Sequence, residues 1–382
     1  MGSTIKLLRI LPLFDRNGAV DQYIPVTAGF GAEEEDAALR RVDKVIPMKK
    51  WAFTQHCIPE GYTGISINHT TTAERAQAIH DAGLQTIGLD LEARANLKEV
   101  LQRCDAVAYN MRNPHIKQIR SVTNTICGLN VPKIALGVNT RDDYDLTRAG
   151  GYDYFLGEFY LRHIFSEGTP KAKLGPIQAN KLAVLAEVTR WQHESTDNFE
   201  QIAQIVQRDV FLTLSLIKMA NSAFFGSVSK VNTLKDAIVR IGIKNLTSWS
   251  TAILTTAVTE KRTPEIARSS LVRARFMENL AAAQRKNRWL AFFTGLASVS
   301  DVMLGEPLKE ALQDMHAPPE VERYLNYHDD IGYLYGLATA YIAGNKRALT
   351  SLVANDAALG ERLHTAYISA ELWVGDILHS IE

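Results

Sequence analysis

The 382-residue sequence predicts an α/β N-terminal domain over residues 1–168 followed by an all-α domain over residues 169–382. Three observations carry this reading. From Lys6 to Phe165, short apolar runs alternate with segments of helical period, the pattern of a largely parallel sheet. The stretch Ser166-Glu-Gly-Thr-Pro170-Lys-Ala-Lys-Leu-Gly175-Pro176 then stops helix and strand alike. Beyond it, every periodic segment is helical. A chain of this length also exceeds one comfortable core, so two domains are the natural division.

Taken in order, the N-terminal strands are predicted at Leu7–Phe14, Trp51–Gln55, Gly64–Ile67, Thr86–Leu89, Ala106–Tyr109 and Lys133–Val138. Helices are predicted at Glu33–Val42, Thr72–Ala82, Ala95–Arg103, Ile116–Ile126 and Arg141–Ala149. Strand and helix in turn fit either an open layer or a barrel, but six strands are fewer than the eight of a full (β/α)8 barrel.

The second half is predicted to contain helices at Ile177–Trp191, Phe199–Gln207, Leu212–Asn221, Leu234–Ile253, Glu265–Gln284, Trp289–Leu304, Leu308–Met315, Pro319–Asn326, Tyr333–Ala343 and Ala357–Ile381. Asp209 is a candidate N-cap for the third. Asn221-Ser222 and Gly226 supply residues that end that helix and turn the chain. Thr233-Leu-Lys-Asp236 has the form of a capping box, with Asp in place of the usual Glu. The last helices extend past the core and are available to pack on it or on a second copy in a homodimer.

Composition excludes several functions. Lys plus Arg and Asp plus Glu each number 42, so the net charge is zero and no overall pull toward nucleic acid or a membrane surface exists. Cys57, Cys104 and Cys127 are odd in number and widely spaced, which fits buried thiols in a reducing cytoplasm rather than a zinc site. No apolar run reaches the roughly 18 residues of a membrane helix, and the N-terminus lacks a signal peptide's apolar stretch. A cytoplasmic protein is expected.

The helix pair around Asn221 resembles the signature of the HDOD family. The residues are Ala220-Asn221-Ser222, Gly226, Ala237-Ile238 and Gly242, and the match runs over roughly Leu174 to Leu280. The resemblance implies an all-helical regulatory module, similar in fold to HD-type metal phosphohydrolases but without their ligands. Gly295-Leu296 is followed by Ser298-Val299 where the His-Asp pair of such hydrolases would stand. His328-Asp329 has the right letters but lies in a polar segment, where a surface turn or helix cap is expected.

In the N-terminal half, Leu11-Pro-Leu-Phe-Asp-Arg-Asn-Gly18, Ile134-Ala-Leu-Gly-Val-Asn-Thr140 and Ala149-Gly-Gly-Tyr-Asp-Tyr-Phe-Leu-Gly-Glu-Phe-Tyr160 are similar to parts of EAL domains. Those are barrel phosphodiesterases that cleave cyclic di-GMP with divalent metals. The resemblance implies a degenerate EAL-type β/α barrel, complete or cut short. Two-metal hydrolysis needs several carboxylates or amides at strand ends. The corresponding positions hold Tyr23-Ile24-Pro25, Gln55, the acid-free strand Gly64–Asn68, Asp90-Leu91, Ala108, Asn110, Leu136, Asn139 and Leu156. Asp90 alone cannot hold two ions, and a strand-end capping role is expected for it. No catalytic, cofactor-binding or metal residue is therefore assigned, no cofactor is expected, and the chain is read as not an enzyme.

No Gly-rich phosphate loop and no Gly-x-Ser-x-Gly elbow occurs, and Gly150-Gly151 is a helix stop. The basic run Arg273, Arg275, Arg285, Lys286 and Arg288, beside Trp289, is read as a solvated helix face rather than a nucleic-acid contact. Trp249, Trp289, Phe292 and Phe293 are read as helical core. Together these features lead to an inactive bacterial signalling protein, acting through regulatory protein partners in control of motility or cyclic di-GMP. The readings set against it are a cyclic di-GMP phosphodiesterase rebuilt around Asp90 and a receptor that binds the nucleotide without cleaving it.

Overall fold

A computed structural model describes residues 5–28, 30, 32–42, 44, 46, 66–67, 87–89, 106–111, 131–161, most of 181–190, 199–221, 230–258, 264–315, 317–354 and 357–381. The chain divides into two compact units, residues 1–164 with 353–364, and residues 165–352 with 365–382. Strand Trp51–Gln55, the helices Thr72–Ala82, Ala95–Arg103 and Ile116–Ile126, Asp90 and the three cysteines lie outside the described residues.

In the first unit the described strands are β1 (Leu7–Phe14), β2 (Val20–Ala28), β3 (Ser66–Ile67), β4 (Ile87–Leu89), β5 (Ala106–Asn110), β6 (Lys133–Leu136) and β7 (Tyr154–Leu156), with helices α1 (Ala32–Val42) and α2 (Arg141–Ala149). They form one sheet in the order β2-β1-β7-β6-β5-β4-β3. From β3 to β7 the strands are parallel and adjacent in chain order, while β1 runs antiparallel to both β2 and β7. Consecutive parallel neighbours are the winding of a barrel wall. The described strands make a mixed sheet with β2 and β3 as its edges, the open layer of the two expected arrangements, and show no closed barrel.

Parallel strands are covered on both faces, which explains why Ala106-Val-Ala-Tyr109 is buried at every position. One face gathers Leu13, Ile24, Ala106, Ala108, Ile134, Leu136 and Leu156. The other packs Phe14, Val107, Tyr109, Ala135 and Phe155 against Tyr144 of α2 and Phe159. Tyr144 stacks on Phe159 with ring centroids 4.5 Å apart, and its hydroxyl donates to the Arg16 carbonyl at 3.0 Å. Burial raises the Tyr144 pKa, so this donor keeps its proton. The Arg16 turn is itself ordered by Asp15, whose Oδ1 accepts the amides of Asn17 and Ala19 at 2.8 and 2.9 Å. The Asp-Arg-Asn-Gly stretch is thus the tight turn joining β1 to β2.

The β2 strand escapes prediction because Pro25 and the polar pair Asp21-Gln22 break its apolar run. As an edge strand it tolerates the proline. Helix α2 keeps its predicted bounds because Thr140 and Asp143 form a true capping box, with Asp143 N donating to Thr140 Oγ1 at 3.1 Å and Thr140 N to Asp143 Oδ2 at 3.0 Å.

The second unit is helical throughout its described residues. Its helices are α3 (Phe199–Val206), α4 (Val210–Ala220), α5 (Leu234–Ile241), α6 (Ile243–Val258), α7 (Pro264–Ala283), α8 (Arg288–Ala297), α9 (Ser300–Leu304), α10 (Leu308–Asp314), α11 (Glu320–Leu325), α12 (Asp329–Ile342), α13 (Lys346–Leu352) and, from Thr365 onward, α14 (Ala357–Ile381). Two predicted helices are each two. Gly242, at φ 79°, divides 234–258, and the turn at Ser298-Val299 divides 288–304. The short helix α13 is absent from the sequence-based expectation, and α12 starts four residues earlier than predicted because Asp329 and Asp330 favour its N-terminus.

The central contact is α7 against α8. Gly295 brings the backbones together so closely that a Cβ there would lie 2.6 Å from the Ala274 Cα. Phe276, Met277, Leu280, Phe292, Phe293 and Leu296 fill the space around it, each buried, and each fully buried side chain of this size contributes about 2 kcal/mol. Charges are also buried here. Arg268 pairs with Glu265 at 3.2 Å and Glu371 at 2.6 Å, and Tyr367 donates its hydroxyl proton to Glu371. Glu278 receives Arg275 and Arg288, both at 2.6 Å.

This packing makes two effects measurable. A Cβ at Gly157 would sit 1.9 Å from the Val138 carbonyl oxygen, so Gly157→Ala is expected to lower stability by about 3 kcal/mol in a urea titration. Burial pushes the Glu371 carboxyl above its ordinary 4.5, outweighing the attraction of Arg268. A carboxyl with a raised folded pKa gives its full stability below the unfolded value and loses it as pH climbs through the folded one, at up to about 1.4 kcal/mol per pH unit. Glu371→Gln keeps the shape without titrating, and denaturation across pH 4–8, an interval of about four pH units, should show that slope flattened.

Candidate functional site

In parallel β/α structures, chemistry is carried at the C-terminal ends of the strands. Here β5 ends at Asn110, β6 at Leu136 and β7 at Leu156. Three of the positions that the EAL resemblance sets against catalytic residues, Ala108, Leu136 and Leu156, are between 0% and 4% exposed and share one apolar cluster with Ile24 on the face opposite α2. Asn139 is half-buried and serves the start of α2: its Oδ1 accepts the Glu158 amide at 3.4 Å, and its own amide donates to Asp143 Oδ2 at 3.2 Å. Asn110 is half-buried at the end of β5. Gln55, Asn68 and Asp90 lie outside the described residues. Among the described residues, no group of three or more His, Cys, Asp or Glu side chains is placed to hold a metal ion.

The second candidate is the helix pair α4–α5. Asp209 caps α4 as predicted, its Oδ1 accepting the Leu212 amide at 2.8 Å. Thr233 caps α5 through the Asp236 amide at 3.1 Å, and its hydroxyl donates to the Asp236 carboxylate at 2.6 Å. Asn221 ends α4 and makes three hydrogen bonds. Its Nδ2 donates to Ile217 O at 2.9 Å and Val231 O at 2.7 Å, and its Oδ1 accepts the Val231 amide at 2.8 Å. Arg240 adds a bond to Ala220 O at 3.2 Å. The amide of Asn221 therefore clasps the backbone at position 231 as a neighbouring strand would. Its signature position is explained by holding α4 to the approach of α5, and Asn221 is a structural residue rather than a free contact. Val210 and Leu214, four residues apart on α4, are 71% and 62% exposed.

The third is the turn Ser298-Val299. Val299 is buried, and Ser298 Oγ donates to Gly295 O at 2.7 Å while accepting from Arg273 Nη1 at 2.9 Å. His328 precedes α12 as its N-cap residue without a side-chain bond, and Asp329 pairs with Arg323 at 2.7 Å on the surface. This is the helix cap expected for that pair. The basic run differs from its reading as a solvated face. Arg273 is 8% exposed, Arg275 lies 5.2 Å over the Trp373 ring and pairs with Glu278, Arg288 pairs with Glu278, and Lys286 pairs with Asp330 at 2.6 Å. Of the five, Arg285 and Arg288 are exposed, Arg285 with a positive φ of 55°. Helical phase could have found Arg273: Ile266, Ser270, Arg273, Met277 and Leu280 return at alternating spacings of four and three and are all buried.

The α/β sheet and helical array define a two-unit protein whose second unit contains an HDOD domain, matched over residues 181–326. Among curated proteins, the chain is 22% identical over 249 residues to the uncharacterized protein YuxH of Bacillus subtilis, covering 64% of this chain and 59% of that one. It is 20% identical over 191 residues to the cyclic di-GMP phosphodiesterase CdgJ of Vibrio cholerae, covering 50% and 43%. The chain thus spans about half the length of the curated relatives it matches. A protein of Marinobacter aquaeolei named for signal transduction aligns over 100% of this chain and 95% of its own, with 12% identity and a TM-score of 0.39, a likeness too slight to define the fold. No helix among the described residues is long and apolar enough to cross a membrane.

Because Asn221 carries three hydrogen bonds, Asn221→Ala is expected to lower stability by about 3 kcal/mol, at roughly 1 kcal/mol per bond lost. Thermal or urea denaturation of the full chain checks this.

Proposed function

We propose that the protein is a catalytically silent signalling protein that acts by binding a regulatory protein partner. The observation that carries this reading is the apolar cluster of Ile24, Ala108, Leu136 and Leu156. The last three stand where the EAL resemblance would put polar catalytic residues, and hydrocarbon cannot coordinate a divalent ion or ionise a water. The HDOD domain supports a regulatory role on the helical side. A fold that keeps its packing without its ligands can still offer a surface. Val210 and Leu214 on α4, with Val239 on α5, are exposed apolar side chains available for contact there.

The similarity to CdgJ favours one second reading, in which cyclic di-GMP is bound or cleaved. A single preparation of the full chain separates the two. Incubation with cyclic di-GMP and Mg2+ or Mn2+ is expected to give no sustained turnover, and capture from native cells is expected to retain a partner that Leu214→Asp releases. Turnover that Asp90→Ala abolishes would reverse the reading.

A further inference from the structure

Among the arginines of α7, Arg268 and Arg275 meet carboxylates, at 2.6 Å in each case. Arg273, on the buried stripe of the same helix, does not. It is 8% exposed and forms no ion pair among the described residues; its one side-chain hydrogen bond runs from Nη1 to Ser298 Oγ at 2.9 Å. Its Nε is shut off from solvent without a hydrogen-bond partner. Ser298 spends its own proton on Gly295 O, so its oxygen serves only to orient the guanidinium.

Burying an unpaired charge is costly, and most groups escape by changing protonation. A guanidinium cannot, since it stays protonated at any accessible pH. The C-terminal end of α8, where Ser298 stands, offers about half a negative charge and so balances only part of the cation. The remainder calls for an anion with several acceptor oxygens, matched to a planar fork.

We propose that Arg273, held by Ser298, is a binding site for a phosphate-type oxyanion in the helical unit. The site lies within that unit and stands whether or not the reading of the α/β unit holds. Nothing is transformed there; the site binds.

The test follows the melting midpoint of the full chain in inorganic phosphate against chloride, at constant pH and ionic strength. Phosphate is expected to raise the midpoint by several degrees and to saturate, as binding to the folded state requires. Arg273→Gln should abolish that response and Ser298→Ala, which removes the hydroxyl that orients the guanidinium, should weaken the affinity about tenfold. Arg285→Gln, a change on the exposed turn after α7, should leave it intact. An equal rise in chloride, a rise that grows without saturating as an excluded salt would produce, or a response undiminished in Arg273→Gln overturns the proposal. If Arg273→Gln does not fold, phosphorus NMR of the wild-type chain decides: saturable line broadening of inorganic phosphate that Ser298→Ala weakens supports the site, and unbroadened phosphate rejects it.

Discussion

Burial of the parallel strands on both faces is the constraint on which the α/β unit depends. Alternate residues of β5, β6 and β7 feed two separate apolar clusters, so neither face is left for water. Ala106 and Ala108 let the larger Ile24, Leu136 and Leu156 meet across the sheet, and introducing a carboxylate among them would strand a charge in hydrocarbon at a cost of several kcal/mol. What makes this face a good core is the same property that makes it a poor cradle for metal ions. The proposed loss of chemistry and the retention of fold therefore have one cause.

The helical unit handles charge differently, by burying it in matched sets. Glu278 is shared between two guanidinia, while Arg268 is shared between two carboxylates, one of which is pushed toward its protonated form by burial. Such sets fix geometry more than they add stability, since desolvation offsets most of the attraction. They also tie α14 to α7 by specific contacts in addition to the apolar contact of Phe276, Tyr341 and Tyr367. Arg273 departs from this pattern because its partner is a hydroxyl.

Where local chemistry decides an element, the sequence reads it well. The limits of β1, α2 and α14 coincide with their apolar periods, and the caps at Asp209 and Thr233 lie where their side chains suggest. Where tertiary context decides, reading fails. Pro25 hides β2 because an edge strand tolerates what a central one does not, and the single glycine at 242 breaks a helix whose apolar period runs through it. Chain order and apolar residue types make the candidate strand ends legible, but their convergence into one cluster depends on sheet register. Arg273 is misplaced for a related reason: grouped by charge with its neighbours it resembles a surface residue, whereas its helical phase assigns it to the core. Asn221 shows its importance through the signature, but the clasp on Val231 needs coordinates to be seen.

The pairing of β1 with β7 joins Leu13 to Leu156, and the Arg16 turn waits for Tyr144. A ribosome must therefore release nearly the whole first unit before its opening strands find their sheet. Until then the β1–β2 ribbon has only itself to pair with, and an isolated two-stranded ribbon is marginal in water. The nascent chain thus carries an apolar hairpin in search of a neighbour throughout this interval, which makes the N-terminus the natural place for a chaperone to attend during synthesis.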